Sequence, residues 1–350
     1  MNFGSDNQSG ASEKVIQALL ESNAGVSGSY GADEWTHRAE QMLCDVFETD
    51  LKAFFVTSGT AANCLALSSM VNPWDTIVCH GHAHIINDEL TAPEFYTGGA
   101  RLLGLGLDSP KLKAEELRAY LDRFEGHPPH TSNPRVLSLT QLNEAGCAYT
   151  LSELNQLTDI AKKHEMRVHM DGARFSNALV SIDCSPAEMT WKAGVDVLCL
   201  GASKNGALAA EAVIFFDKAL AENFEFRRKR AGHLLSKGRV LGAQLCAWLE
   251  DQHWLELARA SNDHAQKLAE GICESEHAEL VWPVDGNELF ALIKHAQVKA
   301  LRAEGAIFYE WPQRFLGGSK RLASDESLVR LVVSFNTSEQ EVQDFIKLLG

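Results

Sequence analysis

The sequence predicts an α/β protein with a mostly parallel sheet covered by helices on both faces. Short apolar runs alternate with helical stretches through the first two thirds of the chain. In an open parallel sheet each strand must return through a crossover, usually a helix, so this alternation is its signature. The length of 350 residues is too great for one small core and suits a large domain followed by a smaller one.

The runs read as strands are AFFV (53–56), TIVCH (76–80), RVLSLT (135–140), RVHM (167–170), DVLCLG (196–201) and AVIFF (212–216). Before the first, THRAEQMLCDVFE (36–48) puts Ala39, Met42, Leu43, Val46 and Phe47 on one helical face. LSELNQLTDIAKKHE (151–165) is the clearest crossover helix. After about residue 220 a basic segment, FRRKRAGHLLSKGR, leads into one long helical pattern from Val240 to Ile272. For RRKR (227–230) a solvated helix face is expected. ELFALIK, AIFYEW and LVRLVVSF then read as strands and EQEVQDFIKLL as a closing helix, a small α+β unit. The expected division is an N-terminal arm (1–25), a large domain (26–250) and a small C-terminal domain (251–350).

A net charge of −15 argues against nucleic acid or an anionic membrane as partner. No apolar stretch approaches the roughly 20 residues that span a bilayer. The opening MNFGSDNQSG lacks the basic-then-apolar order of a signal peptide. Eight scattered cysteines without a C-x-x-C pair read as reduced thiols, so a cytoplasmic protein is expected.

Lys204 follows a core-type strand in LCLGASKNG. Alone, it reads as a lysine snorkelling to solvent from a strand end. An amine held there can equally form an imine with an aldehyde, which requires it to shed its proton. Asp171 shifts the balance. In HMDGAR it closes a strand at the carboxyl edge of the sheet, where ligands bind in open α/β folds. A carboxylate there can pair with a protonated pyridine nitrogen, though an Asp-Gly turn is the plainer use. SGTAAN (58–63) lies between strand and helix, so the N–H groups of Gly59, Thr60 and Ala61 and the hydroxyls of Ser58 and Thr60 form a possible phosphate cradle. The same residues also make an ordinary helix cap. His80, His82 and His84 lack partners at a recognised zinc spacing, so no metal is expected. The triple-glycine dinucleotide fingerprint and the G-K-S/T nucleotide loop are both missing from the sequence.

In this order SGTAAN, HAHI with Glu89, TQLNEAG, HMDGAR and ASKNG resemble the L-threonine aldolases, pyridoxal-phosphate enzymes of fold type I, over nearly the whole chain. The resemblance implies a mostly parallel seven-stranded sheet between helix layers, and pyridoxal 5′-phosphate as cofactor. Lys204 would carry it as a Schiff base, Asp171 would bind its ring nitrogen, and Ser58, Gly59 and Thr60 its phosphate. His84 would stack on the ring and help deprotonate the substrate hydroxyl. Arg174, Arg330 and Ser5 match positions holding the substrate carboxylate. Arg239 resembles an arginine that reaches the phosphate of a neighbouring subunit, and Tyr30 lies near a subunit boundary on the substrate side. The implied assembly is a homotetramer of tight dimers with sites at the dimer interface. The implied reaction is retro-aldol cleavage of a β-hydroxy-α-amino acid to glycine and an aldehyde; the alternatives are β-elimination, transamination, or an inactive binding relative.

Overall fold

The computed structural model describes residues 1–317 and 321–350. Its main sheet has seven strands: β1 (Lys52–Val56), β2 (Thr76–His80), β3 (Arg101–Leu105), β4 (Pro134–Thr140), β5 (Arg167–Gly172), β6 (Val197–Gly201) and β7 (Glu211–Phe215), in the order β1-β7-β6-β5-β4-β2-β3. Only β7 runs against the others; it pairs antiparallel with β1 and with β6. Six of these strands coincide with the apolar runs of the sequence. The seventh, β3, is the edge strand RLLGL, which lies half-buried with a glycine near its end and so has a weak apolar signal.

Alternate residues of each strand enter different cores. Phe55, Val78, Leu137 and Leu139 pack under helices Glu34–Val46, Leu151–Lys163 and Arg239–Leu249. Val56, Ile77, Cys79 and Val136 pack on the other face against helix Gly59–Met70. That helix is apolar nearly all round because most of it is buried from Ala61 onward.

A second, antiparallel sheet is built from β8 (Ala278–Leu280), β9 (Glu288–Lys294), β10 (Tyr309–Glu310) and β11 (Glu326–Val332), in the order β10-β11-β9-β8. Its core joins Leu289, Ala291, Val329 and Leu331 to Leu268 and Phe345 of helices His253–Glu274 and Glu339–Leu349. Three expectations are corrected here. The strand expected over AIFYEW shrinks to Tyr309–Glu310, because Ile307 pairs instead with the N-terminal segment through Ile307 N–H to Met1 and Phe3 N–H to Ile307. The single long helix expected from Val240 to Ile272 is two helices, broken where Asp251 and Gln252 take φ of 55° and 58°. A continuous helix would turn Trp248 and Trp254 about 120° apart; the break lets both bury with rings 5.2 Å apart. Finally, RRKR is not wholly solvated: Arg228 turns inward, 5.4 Å over the Phe54 ring.

Among the described residues no helix is long and apolar enough to cross a membrane. All eight cysteines are free thiols.

Candidate active site

The parallel strands end at one edge, and their register sets the residues at their tips side by side. Thr140 of β4 stands beside Asp171 of β5, and Gly201 of β6 beside Glu211 of β7. A cavity of about 340 Å³ opens there, lined by Ser58, Thr60, His84, Asp171, Arg174 and Lys204, among others. Lys204 and Asp171 thus share one cavity.

Two glycines make this possible. A Cβ on Gly201 would lie 2.8 Å from the Cα of Ala173, and one on Gly172 would lie 2.8 Å from the carbonyl oxygen of Cys199. The loops after β5 and β6 therefore touch backbone to backbone. Beyond Gly201 a 3₁₀ turn, Ser203–Asn205, presents Lys204. Asn205 anchors the turn by donating to Ser176 Oγ at 2.9 Å and to the Trp254 carbonyl at 2.8 Å, while its own carbonyl accepts from the Trp248 indole at 2.7 Å. The Lys204 amine has no hydrogen bond or ion pair among the described residues. Burial first, and the Arg174 guanidinium second, lower its pKa, which favours the neutral nucleophilic amine.

Asp171 is buried and oriented from two sides: Oδ2 accepts from Asn63 Nδ2 at 2.8 Å and Oδ1 from the Ala173 N–H at 3.0 Å. Asn63 also donates to Glu89 at 2.9 Å, and Glu89 holds His84 Nδ1 at 2.8 Å. That hydrogen bond raises the His84 pKa against the opposing effect of burial.

Ser58 caps helix Gly59–Met70, its side chain accepting from Ala61 N–H at 3.3 Å. The expectation of three free N–H groups is corrected to two, those of Gly59 and Thr60, because the cap takes the third. A Cβ at Gly59 would meet nothing within 4 Å, so open space lies beside these donors at the positive end of a helix dipole.

A second cavity, of about 540 Å³, adjoins the first and contains Ser5, Arg330, Trp311, Phe315 and His82 in its wall. Here the arginines are already engaged. Arg174 donates to Asp6 Oδ2 at 2.8 Å, to Asp6 Oδ1 at 3.2 Å and to Glu288 Oε2 at 2.7 Å. Arg330 bonds the other oxygen of Glu288 and stacks 4.9 Å over Trp311. Two anions and two cations balance, and each guanidinium keeps N–H donors beyond those used. Ser5 caps the turn Asp6–Gln8.

The other histidines go elsewhere. His80 bonds the carbonyls of Gly106 and Ser109 at 2.7 and 3.0 Å, and His82 packs on Phe315. Among the described residues no three His, Cys, Asp or Glu side chains are arranged to hold a metal. Tyr30 and Arg239 line neither cavity. Arg239 Nη1 reaches the carbonyls of Ala24 and Gly25 at 3.4 Å, and Lys229 sits 4.9 Å over the Tyr30 ring. Sequence reasoning misses Glu144, Glu211, Asp6 and Glu288 as site residues; buried acids from four separate segments leave no local pattern.

A buried amine whose pKa is lowered, a buried carboxylate across the same cavity and a helix-end cradle are the three contacts a pyridoxal phosphate needs. A mostly parallel seven-stranded sheet carrying that site at its carboxyl edge defines the fold-type I pyridoxal-phosphate enzymes. The family model described as beta-eliminating lyase matches residues 2–296. The low specificity L-threonine aldolase of Pseudomonas aeruginosa is 40% identical over 346 residues, covering 99% of this chain and 96% of that one. A solved Leishmania major threonine aldolase superposes with a TM-score of 0.91 at 26% identity, covering 99% and 98% of the two chains. The Sphingomonas wittichii serine palmitoyltransferase shares the fold, with a TM-score of 0.72 at 16% identity over 100% of this chain and 86% of that one. The chain belongs to the beta-eliminating lyase family, in its threonine aldolase branch.

Proposed function

We propose that this protein binds pyridoxal 5′-phosphate and cleaves L-threonine, L-allo-threonine and related β-hydroxy-α-amino acids to glycine and an aldehyde. The observation that carries the reading is the shared cavity of Lys204 and Asp171, with the open cradle at Gly59 in the same wall. Lys204 would hold the cofactor covalently, Asp171 its ring nitrogen, Ser58, Gly59 and Thr60 its phosphate, and His84 one face of its ring. When bound, the cofactor supplies an electron sink conjugated to the substrate's α-carbon.

The chain's own residues supply alignment. The spare N–H groups of Arg174 and Arg330, with Ser5, suit a carboxylate, and two fixed guanidiniums set the rotation that exposes the Cα–Cβ bond. Trp311, Phe315 and His82 give the second cavity an aromatic wall, which suits aryl substrates such as phenylserine as well as threonine.

A second copy would bring Tyr30 and Arg239 to the site, in a homotetramer built as a dimer of dimers. Leu20, Val26 and Tyr30 expose apolar surface on that part of the chain. Light scattering on the purified protein tests the assembly. The free thiols suit a reducing cytoplasm.

The deciding experiment supplies threonine to the cofactor-loaded protein and couples acetaldehyde to an alcohol dehydrogenase. Borohydride reduction should fix a pyridoxyl group on Lys204, located by peptide mass spectrometry. A colourless protein that gains no absorbance with added cofactor ends the proposal. Transamination of a keto acid without aldehyde release would redirect it to an aminotransferase.

A further inference from the structure

Five residues line both cavities: Asn7, His84, Glu144, Arg174 and Lys204. They mark the boundary between the cofactor site and the substrate site, where a β-hydroxyl would lie. Retro-aldol cleavage needs a proton acceptor at that point. Asn7 and Arg174 have no basic form at neutral pH. Lys204 serves the cofactor. His84 is held by Glu89 through Nδ1, which raises its pKa, and its ring is assigned above to one face of the cofactor.

Glu144 remains. Its Oε1 accepts from the His84 N–H at 2.7 Å and from the Thr140 hydroxyl at 2.9 Å. Its Oε2 is buried and has no hydrogen-bond partner among the described residues. An unpaired buried carboxyl oxygen costs stability and calls for a use. Burial first, and Asp171 second, push Glu144 up to about 7, against the hydrogen bonds from His84 and Thr140. Arg174, Cys79 and Tyr149 are the other ionisable groups within its electrostatic reach. A carboxyl titrating near neutrality suits a general base in both halves of its cycle.

Resting on the aldolase reading above, we propose that Glu144 is the catalytic base, its carboxylate taking the β-hydroxyl proton of the substrate. The O–H bond breaks toward the Glu144 carboxylate while the oxygen's electron pair forms the aldehyde C=O. The Cα–Cβ bond would break with its electron pair left on the glycine fragment, for which the cofactor held by Lys204 and Asp171 would supply the electron sink. A proton from solvent then restores glycine at Cα, and Glu144 returns its own proton to water.

The test is Glu144→Gln in the cofactor-loaded enzyme. Glutamine keeps the shape and the acceptor facing His84 but cannot take a proton. The kcat for threonine should fall about 100-fold or more with KM within about threefold, as expected for loss of a general base. Exchange of the glycine α-proton in D₂O, followed by NMR, needs Lys204 and the cofactor but no hydroxyl proton, and should persist. Threonine cleavage within about threefold of wild type overturns the assignment. So does a parallel fall in glycine exchange, which would mark a structural role. In Thr140→Val the acid limb of kcat should move to higher pH, because a hydrogen bond that favours the carboxylate is gone; an unmoved limb assigns the limb to another group and also overturns it. If wild type itself releases no aldehyde, the aldolase reading has failed, whatever the variants do.

Discussion

Asp6→Asn tests the ionic chain that ties the N-terminal segment to both sheets. Asp6 is 1% exposed and makes two hydrogen bonds to Arg174 and one from Asn287 at 3.1 Å. Burial alone would raise its pKa; Arg174 and Lys204 overcome that and hold it at about 2, against an ordinary 3.8. A folded-state pKa depressed by that amount corresponds to roughly 2 kcal/mol of stability at pH 7. That contribution is complete above the unfolded value of 3.8 and is lost as pH falls toward about 2. Breaking a buried pair usually costs about 3–5 kcal/mol. Here Glu288 still holds Arg174, and the asparagine oxygen can accept one bond, so a lower figure of about 2 kcal/mol is expected. In so large a chain, this should lower Tm by roughly 3 °C. The assay is urea unfolding followed by circular dichroism, with protein and cofactor concentrations fixed, at pH 7 and at steps below pH 4. The gap between wild type and variant should be constant from pH 7 to 5 and narrow in acid. A gap under about 0.5 kcal/mol at pH 7, or one that persists undiminished in acid, would refute the reasoning.

Three other substitutions probe the site. Gly59→Ala meets no neighbour within 4 Å and should leave Tm of the cofactor-free protein unchanged while weakening pyridoxal-phosphate binding about tenfold or more, measured by equilibrium dialysis; equal affinity would remove the cradle from the proposal. Glu89→Gln should lower the pH at which His84 titrates in NMR spectra, since the Glu89 hydrogen bond is what raises it; an unmoved midpoint would assign the shift elsewhere. Gly201→Ala drives a methyl to 2.8 Å from the Ala173 backbone and should cost about 1–3 kcal/mol in urea unfolding, with altered cofactor absorbance as Lys204 moves; wild-type stability would show that the loops can separate freely.

The main sheet is legible in the sequence because central parallel strands are buried on both faces and must be apolar runs. Edge elements are harder. β3 has only half its surface to bury, and Ile307 finds its partner in residues 1–3, which no local pattern near 307 could announce. In the site, Asp171 stands out because it lies at the end of a core strand and Lys204 because it follows one within a few residues, where a charge is unexpected. Glu144 sits within the motif TQLNEAG, yet its unpaired oxygen depends on His84 and Thr140 coming together around it. Glu288 opens a strand and looks like a solvent-facing residue until Arg174 and Arg330 arrive from elsewhere in the chain.

The pairing of Phe3 with Ile307 and Val332, and of Asp6 with Arg174, has a consequence for biosynthesis. A ribosome exposes residues 3–6 long before it delivers residues 288–332. Until then the buried carboxylate and its arginine have only part of their counterions. Ordering of the substrate pocket therefore waits for the small sheet, and fragments that stop short of Arg330 should show the large sheet's secondary structure without a competent carboxylate clamp.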